Sequence, residues 1–251
     1  MILCCAVATA VSRSVLGKQP TYHIPLYQLG RPAVLVVALL FGAALGPVAA
    51  FVLKGLRWFA ALQDRSARLA PFMPFVVLST LGVASAWLPH LLGNGYGAAD
   101  AALHGDLAIP LLVTLPILRF GATAACQAAQ VPGGLLTPML SIGALIGGLV
   151  GAGVSHVWPG TPPGAFSLLG MGALLAGTSR DPISSVVLLS ELSSDYHLIL
   201  RLACACGAAT LVSRPLDGAR SIVWARAVRR ARSQRCRGLP SRSTRRATSL
   251  R

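Results

Sequence analysis

The residues whose types and spacing could do chemistry lie in one short segment, Val131-Pro132-Gly133-Gly134-Leu135-Leu136-Thr137-Pro138, which joins two apolar stretches. Gly133 and Gly134 let the backbone approach a ligand closely, and Pro138 suits the first turn of a new helix, where its missing N–H costs little. The amides of Leu135, Leu136 and Thr137 would then stand at a helix N-terminus with no carbonyl of that helix to reach. With the positive end of the helix dipole behind them, they make a site for an anion that requires no buried cation. A full positive charge would hold the anion too tightly for rapid transit, since passage requires the ion to leave. On the residues alone, an ordinary bend before a helix fits the same segment.

Other chemistries lack their residues. There is no HExxH pair, acidic metal cluster, GxSxG elbow or phosphate loop, so neither an enzyme nor a metal or cofactor site is expected. Cys4, Cys5, Cys126, Cys204, Cys206 and Cys236 show no paired CxxC spacing and read as small core residues. Cys204 and Cys206 would point to opposite sides of a helix. Gly93-Asn94-Gly95-Tyr96-Gly97 is turn-rich without the strand and helix of a phosphate loop, and reads as a connector before a polar patch, Asp100 to Asp106. His104, His156 and His197 stand beside loops and read as solvated.

The elements that must position the segment belong to a membrane protein. Of 251 residues, 54% are hydrophobic and only 12% charged, against about 25% charged in soluble domains. Mean hydropathy is +0.67. From Phe120 to Ser179 there is no Asp, Glu, Lys or Arg, far more than the roughly 20 residues one crossing needs, so the chain must fold back within the bilayer. The net charge of +15 is concentrated rather than spread: from Arg226 onward there are ten arginines and no acid. Without interleaved aromatics this reads as a solvated, disordered tail held in the cytoplasm by the positive-inside rule, not as a nucleic-acid surface. Residues 218–251 form that tail and residues 1–217 the transmembrane region. Met1 to Leu16 has no basic residue before its apolar run, which fits a partial membrane helix better than a cleaved signal.

Along the transmembrane region, Ala33 to Leu53 is a spanning helix, kinked at Gly46-Pro47 and ending at Lys54 and Arg57. An aqueous loop from Arg57 to Arg68 leads to Phe72–Leu88, short for a span. Leu107–Leu118, Phe120–Val131, Pro138–Val157, Phe166–Ser179, Ile183–Leu192 and Leu198–Val212 follow, separated by Pro/Gly breaks or polar links. Broken segments at membrane depth are tolerated inside protein or along an aqueous cavity, which points to a transporter-like site. Gly143, Gly147 and Gly151 share one helix face and read as a close-packing seam.

Several blocks in order resemble the CLC family of chloride channels and chloride/proton exchangers. Gly133-Gly134-Leu135-Leu136-Thr137-Pro138-Met139-Leu140 is similar to the Gly-Gly-Ile-Phe-x-Pro block that opens the family's anion-binding helix. Gly170-Met171-Gly172-Ala173-Leu174-Leu175-Ala176, Ser179-Arg180-Asp181-Pro182, Leu188-Leu189-Ser190-Glu191-Leu192 and Asp195-Tyr196-His197-Leu198-Ile199-Leu200 follow in family order, with Gly93-Asn94-Gly95-Tyr96 upstream. The resemblance covers about Ala33 to Pro215.

It implies an all-α, multi-pass bundle of tilted and broken helices like the second inverted repeat of a CLC subunit. Chloride would be the transported ligand, held by the amides of Leu135, Leu136 and Thr137, with Gly133, Gly134 and Pro138 supporting the loop. Leu136 stands where the family usually has Phe. The family's first-half serine loop and gating-glutamate loop are not found in this sequence, and Asp217 stands where the late chloride-binding tyrosine is expected. The resemblance therefore implies a C-terminal half that transports anions only with further elements, or a non-transporting chain that associates with a full-length CLC subunit. It further implies a homodimer or association with another CLC subunit, a structural role for Glu191 near the subunit-packing region, and a bacterial-type inner membrane with the C-terminus in the cytoplasm.

Overall fold

A computed structural model describes residues 33–63, 72–88, 93–129, 133–157, 163–193 and 198–217, with isolated positions at 4, 7, 8, 11, 14, 91 and 131. Outside these residues fall the basic tail, the His156 side chain, His197, Pro132, the Asp195-Tyr196 pair, the Asp64–Arg68 loop and most of residues 1–32. The described residues form an all-helical bundle: α1 (Ala33–Gln63), α2 (Met73–Trp87), α3 (Tyr96–His104), α4 (Ile109–Ala128), α5 (Leu136–Val157), α6 (Pro163–Ser179), α7 (Pro182–Ser193) and α8 (Ile199–Asp217).

Four of these helices contain stretches long and apolar enough to cross a membrane: Leu35–Phe59, Ile109–Ala128, Leu136–Ser155 and Ile199–Leu216. The other apolar helices, α2, α6 and α7, are shorter. That division follows the Pro and Gly breaks in the sequence, which stop helices before they reach a full crossing.

Helix α6 is the centre. Its residues from Gly164 to Thr178 are all buried. A helix apolar around its whole circumference has no face for water and must be covered on every side. α5, α8, α1, α7 and α3 all pack on it. The core runs through Leu140, Leu145, Leu168, Met171, Leu174, Leu189 and Leu202. At the other extreme, α2 buries none of its residues and touches chiefly α4, leaving Phe75, Val83 and Trp87 exposed. Such large apolar groups are tolerated where lipid or further protein covers them.

Four sequence expectations are corrected. The first helix does not end at Lys54 and Arg57 but runs through both to Gln63, the exposed Lys54 pointing away from the core. Leu107–Leu118 and Phe120–Val131 are not two segments: α4 is continuous through Pro116 and Arg119. Pro116 leaves its turn without one hydrogen bond, and the surrounding helices hold the turn in place. Tyr96 onward is not a connector, because α3 begins there and buries Ala98, Ala99, Ala102 and Leu103 beneath the polar patch. Finally, the segment expected over Pro138–Val157 opens two residues earlier, at Leu136, with Pro138 in the first turn as its residue type requires. The glycine seam holds at Gly143 and Gly147, where α6 backbone lies against α5.

Candidate anion site at the start of the fifth helix

Met139 N–H donates to Leu135 C=O at 3.2 Å, the first bond of α5. Leu135 is thus the capping position, and the amides of Leu135, Leu136 and Thr137 precede any carbonyl that the helix could offer them. Pro138 has no N–H to satisfy. The local sequence thereby opens a helix with three donors at its tip and only apolar side chains plus one threonine around them.

The loop before α5 borders a cavity of about 470 Å³. Gly133, Gly134, Leu135 and Pro138 line one wall, α2 contributes Leu78 and Gly82, and α4 contributes Arg119 and Thr123. Neither Leu136 nor Thr137 lines it, and the Leu136 side chain is 48% exposed. Thr137 is half-buried. Gly133 and Gly134 have no left-handed φ, and a Cβ on either would meet nothing within 4 Å. Their contribution is open space at the helix tip rather than an unusual backbone.

The contact between α4 and α5 is made by Arg119 and Ser141. Arg119 is the eleventh of the 20 residues of α4, so it lies about 15 Å from either end of a 30 Å helix. Arg119 Nη1 donates to Ser141 Oγ at 3.4 Å. Ser141 is five residues past Leu136, about 7.5 Å along α5. The opening of α5 therefore lies about 7.5 Å along that helix from the point where the middle of α4 meets it.

Arg119 and Ser141 are the residues that sequence reading missed. Arg119 had been a boundary between two apolar segments; the signal was a lone basic residue between long charge-free runs, which a continuous helix turns into a buried cation, 5% exposed. Intramembrane ionisable groups are costly and mark functional sites. Ser141 also donates to Pro138 C=O at 3.0 Å, so the guanidinium is linked through one hydroxyl to the first turn of α5. Opposite them, Gly95 adopts φ +85°, and a Cβ there would collide with the Arg119 guanidinium and fall 2.6 Å from Ser141 Oγ. Only glycine meets both demands.

The remaining candidates are dispersed. Cys206 is buried and Cys204 half-buried, as their opposite helix faces require, and no metal-holding group of His, Cys, Asp and Glu occurs among the described residues. His104 Nδ1 lies 2.9 Å from Asp100 C=O on its own helix. Glu191 is exposed, on the outward face of α7 with Ile183 and Val187 at four-residue spacing. Asp181 caps α7, accepting from Ser184 N–H at 3.3 Å and Ser184 Oγ at 2.6 Å.

Comparison with known proteins agrees with this architecture. The family described as voltage gated chloride channel matches residues 1–214. The chain is 30% identical over 224 residues to the H(+)/Cl(-) exchange transporter ClcA of Vibrio parahaemolyticus, covering 87% of this chain and 48% of that protein. It is 31% identical over 229 residues to the chloride channel protein CLC-f of Arabidopsis thaliana, covering 84% of this chain and 29% of that protein. The crystal structure of a slow cyanobacterial Cl-/H+ antiporter superposes with a TM-score of 0.82 at 24% identity, over 90% of this chain and 54% of that one. A eukaryotic CLC transporter superposes with a TM-score of 0.62 at 20% identity, over 77% of this chain and 34% of that one. The chain spans about half the length of the ClcA relatives it matches. With the family match covering most of its length and its membrane-length helices in place, this integral membrane protein belongs to the voltage-gated chloride channel family.

Proposed function

We propose that this chain carries part of an anion pathway, with chloride held by the amides of Leu135, Leu136 and Thr137 at the open tip of α5. The observation that carries this reading is the helix N-terminus whose first amides have no carbonyl of α5 to reach, beside a cavity that the middle of α4 also lines. An anion inside a bilayer has lost its water, and peptide dipoles replace part of its hydration without the lasting grip of a direct ion pair. The names of the similar proteins, a proton/chloride exchange transporter and a chloride channel, agree with chloride as the ion. Transport, not catalysis, is the activity.

One cluster of helix-terminal amides does not compensate an anion across a whole bilayer, because desolvation is costly at every point along the path. The 251 residues are therefore expected to bind halide without conducting it alone. Reconstitution in chloride-loaded liposomes, with a potassium ionophore to dissipate voltage, should give efflux no faster than protein-free liposomes. A chimera joining the chain to the first half of a ClcA relative should restore efflux. Selective efflux from the 251-residue chain alone, lost on Gly134→Val, would refute the partial-pathway reading.

A second reading, association with another copy or with a longer CLC subunit, is favoured by the outer face of α7. Glu191 shares that face with Ile183 and Val187, and a carboxylate turned toward lipid is costly unless protein covers it. We place the membrane as the bacterial-type inner membrane with a cytoplasmic C-terminus, from the arginine-rich end of the sequence. Crosslinking of a cysteine at position 187 between copies tests the association.

A further inference from the structure

We propose that the apolar groove between α1 and α5 is a binding site for one acyl chain of a membrane phospholipid, held as part of the packed structure rather than as passing solvent. The groove shares no lining residue with the anion cavity, so the two sites stand or fall separately.

The groove follows from the way three helices run. Phe41 of α1 meets Phe166 of α6 edge to face, ring centroids 5.6 Å apart, and farther along both helices Ala49 meets Gly177, so α1 and α6 run the same way. α5 runs opposite to them, with Gly147 against Phe166 and Gly143 against Gly170. Both α1 and α5 pack closely on α6 but have little contact with each other. The gap between them holds about 390 Å³ above a floor of buried Phe41, Leu45 and Phe166, and its walls are Val, Leu, Ile and Ala side chains.

Its length is that of one lipid leaflet. It starts at Val37 and Val154, each within two residues of an end of the Leu35–Phe59 and Leu136–Ser155 spans. From Val37 to Val48 it runs about 16 Å along α1, against about 15 Å for half of a hydrocarbon core. Spread over that length its volume gives a cross-section of about 24 Å², whereas a helix about 10 Å across fills about 80 Å². The space is too narrow for a helix of another subunit and wide enough for a single chain of methylenes. Its rim is continuous with the lipid-facing surface: Leu40, 61% exposed, and Val150, 37% exposed, belong both to the groove and to the outside of their spans. Lipid tails are as apolar as leucine, so no release of water drives the binding. What retains the chain is dispersion contact on three sides, which bulk lipid against a convex helix does not obtain.

The test expresses the 251-residue chain in bacterial membranes, purifies it in a mild detergent and counts bound lipid by native mass spectrometry. The parent should retain one phospholipid per chain. Ala44 lines the groove from an exposed position, so Ala44→Phe fills the groove without entering the core, and retention should fall about tenfold or more. Val150→Phe fills it from the α5 side and should do the same. Val83→Phe, on the exposed α2 and outside the groove, should leave retention at the parent level. After delipidation, dimyristoyl phosphatidylcholine should raise the melting temperature of the parent by about 2–4 °C. Dioctanoyl phosphatidylcholine, whose chains are too short to fill the groove, should raise it much less, and neither lipid should raise that of Ala44→Phe. Absence of retained phospholipid on the folded parent, or parent-level retention in the folded Ala44→Phe and Val150→Phe, would overturn the proposal. Equal melting shifts with the two lipids would overturn it as well, since any amphiphile would then serve. A dimer seen by light scattering for the parent and lost in Ala44→Phe, with lipid retention unaffected, would put a second copy in the groove instead. Should one of the filled variants not fold, the other and the comparison of the two lipids decide.

Discussion

Gly143 of α5 and Gly170 of α6 lie backbone to backbone: a Cβ on Gly143 would fall 2.5 Å from Gly170 C=O, and one on Gly170 would strike Gly143 C=O in return. Neither helix can withdraw, because α6 is enclosed on all sides. Gly143→Ala should therefore destabilise the protein by about 1–3 kcal/mol, the range for overpacking a filled core. Gly153→Ala on the same helix, where a Cβ meets nothing within 4 Å, should stabilise by about 0.5–1 kcal/mol through helix propensity. Opposite signs in detergent unfolding curves of the two variants check the seam; equal effects would mean that the helices are farther apart than described.

At the tip of α5, Gly133→Ala and Gly134→Ala should fold normally, since neither position uses a left-handed φ and both have room for a methyl group. Gly134→Val should reduce halide affinity by occupying the cavity at the amides. Affinity and melting temperature are thus expected to separate: binding falls about tenfold or more, while stability changes by less than about 1 kcal/mol. Loss of both together would show that the loop serves folding alone.

Ser167 Oγ donates to Ala102 C=O at 2.9 Å, tying central α6 to the short α3. Interhelical hydrogen bonds within membranes contribute about 0.6 kcal/mol on average. Ser167→Ala should cost about that much in global stability while raising amide hydrogen exchange locally in Ala98–Leu103. Exchange rising uniformly over the protein would indicate that α3 is not a separately opening unit.

Asp181 gives a pH dependence of known sign. The hydrogen bonds from Ser184, side chain first and backbone second, hold its carboxyl below the usual value near 3.8. A depressed folded value means that the cap stabilises above the unfolded pKa and that this contribution disappears as pH falls through the folded one. The stability gap between the parent and Asp181→Asn should accordingly be constant from pH 7 to about 5 and close as acid protonates the carboxyl. The group is fully exposed, so the gap is small. A gap that widens in acid would contradict the capping geometry.

The sequence by itself determined the class. Sixty consecutive residues without a formal charge leave no alternative to an intramembrane fold, and the Pro and Gly breaks placed most helix ends within a few residues of those observed. The segment Gly133 to Pro138 was legible as the opening of a helix because local rules decide it: glycine before, proline in the first turn, no donor wasted. Helix α3 was not legible, since its apolar residues are mostly alanines, whose burial depends on what packs over them; Asp100 and Asp106 outweighed them in a linear reading.

The tertiary structure alone decided the company that the α5 tip keeps. Periodicity reports which face of a helix is apolar but carries no information about how far one helix is shifted along another. That shift brings Arg119 beside Ser141, 22 residues later in the chain, and turns an apparent break between segments into a buried cation on the cavity wall. Gly95, likewise, reads locally as a turn residue, and only the packed bundle reveals that its missing side chain is the space a guanidinium fills.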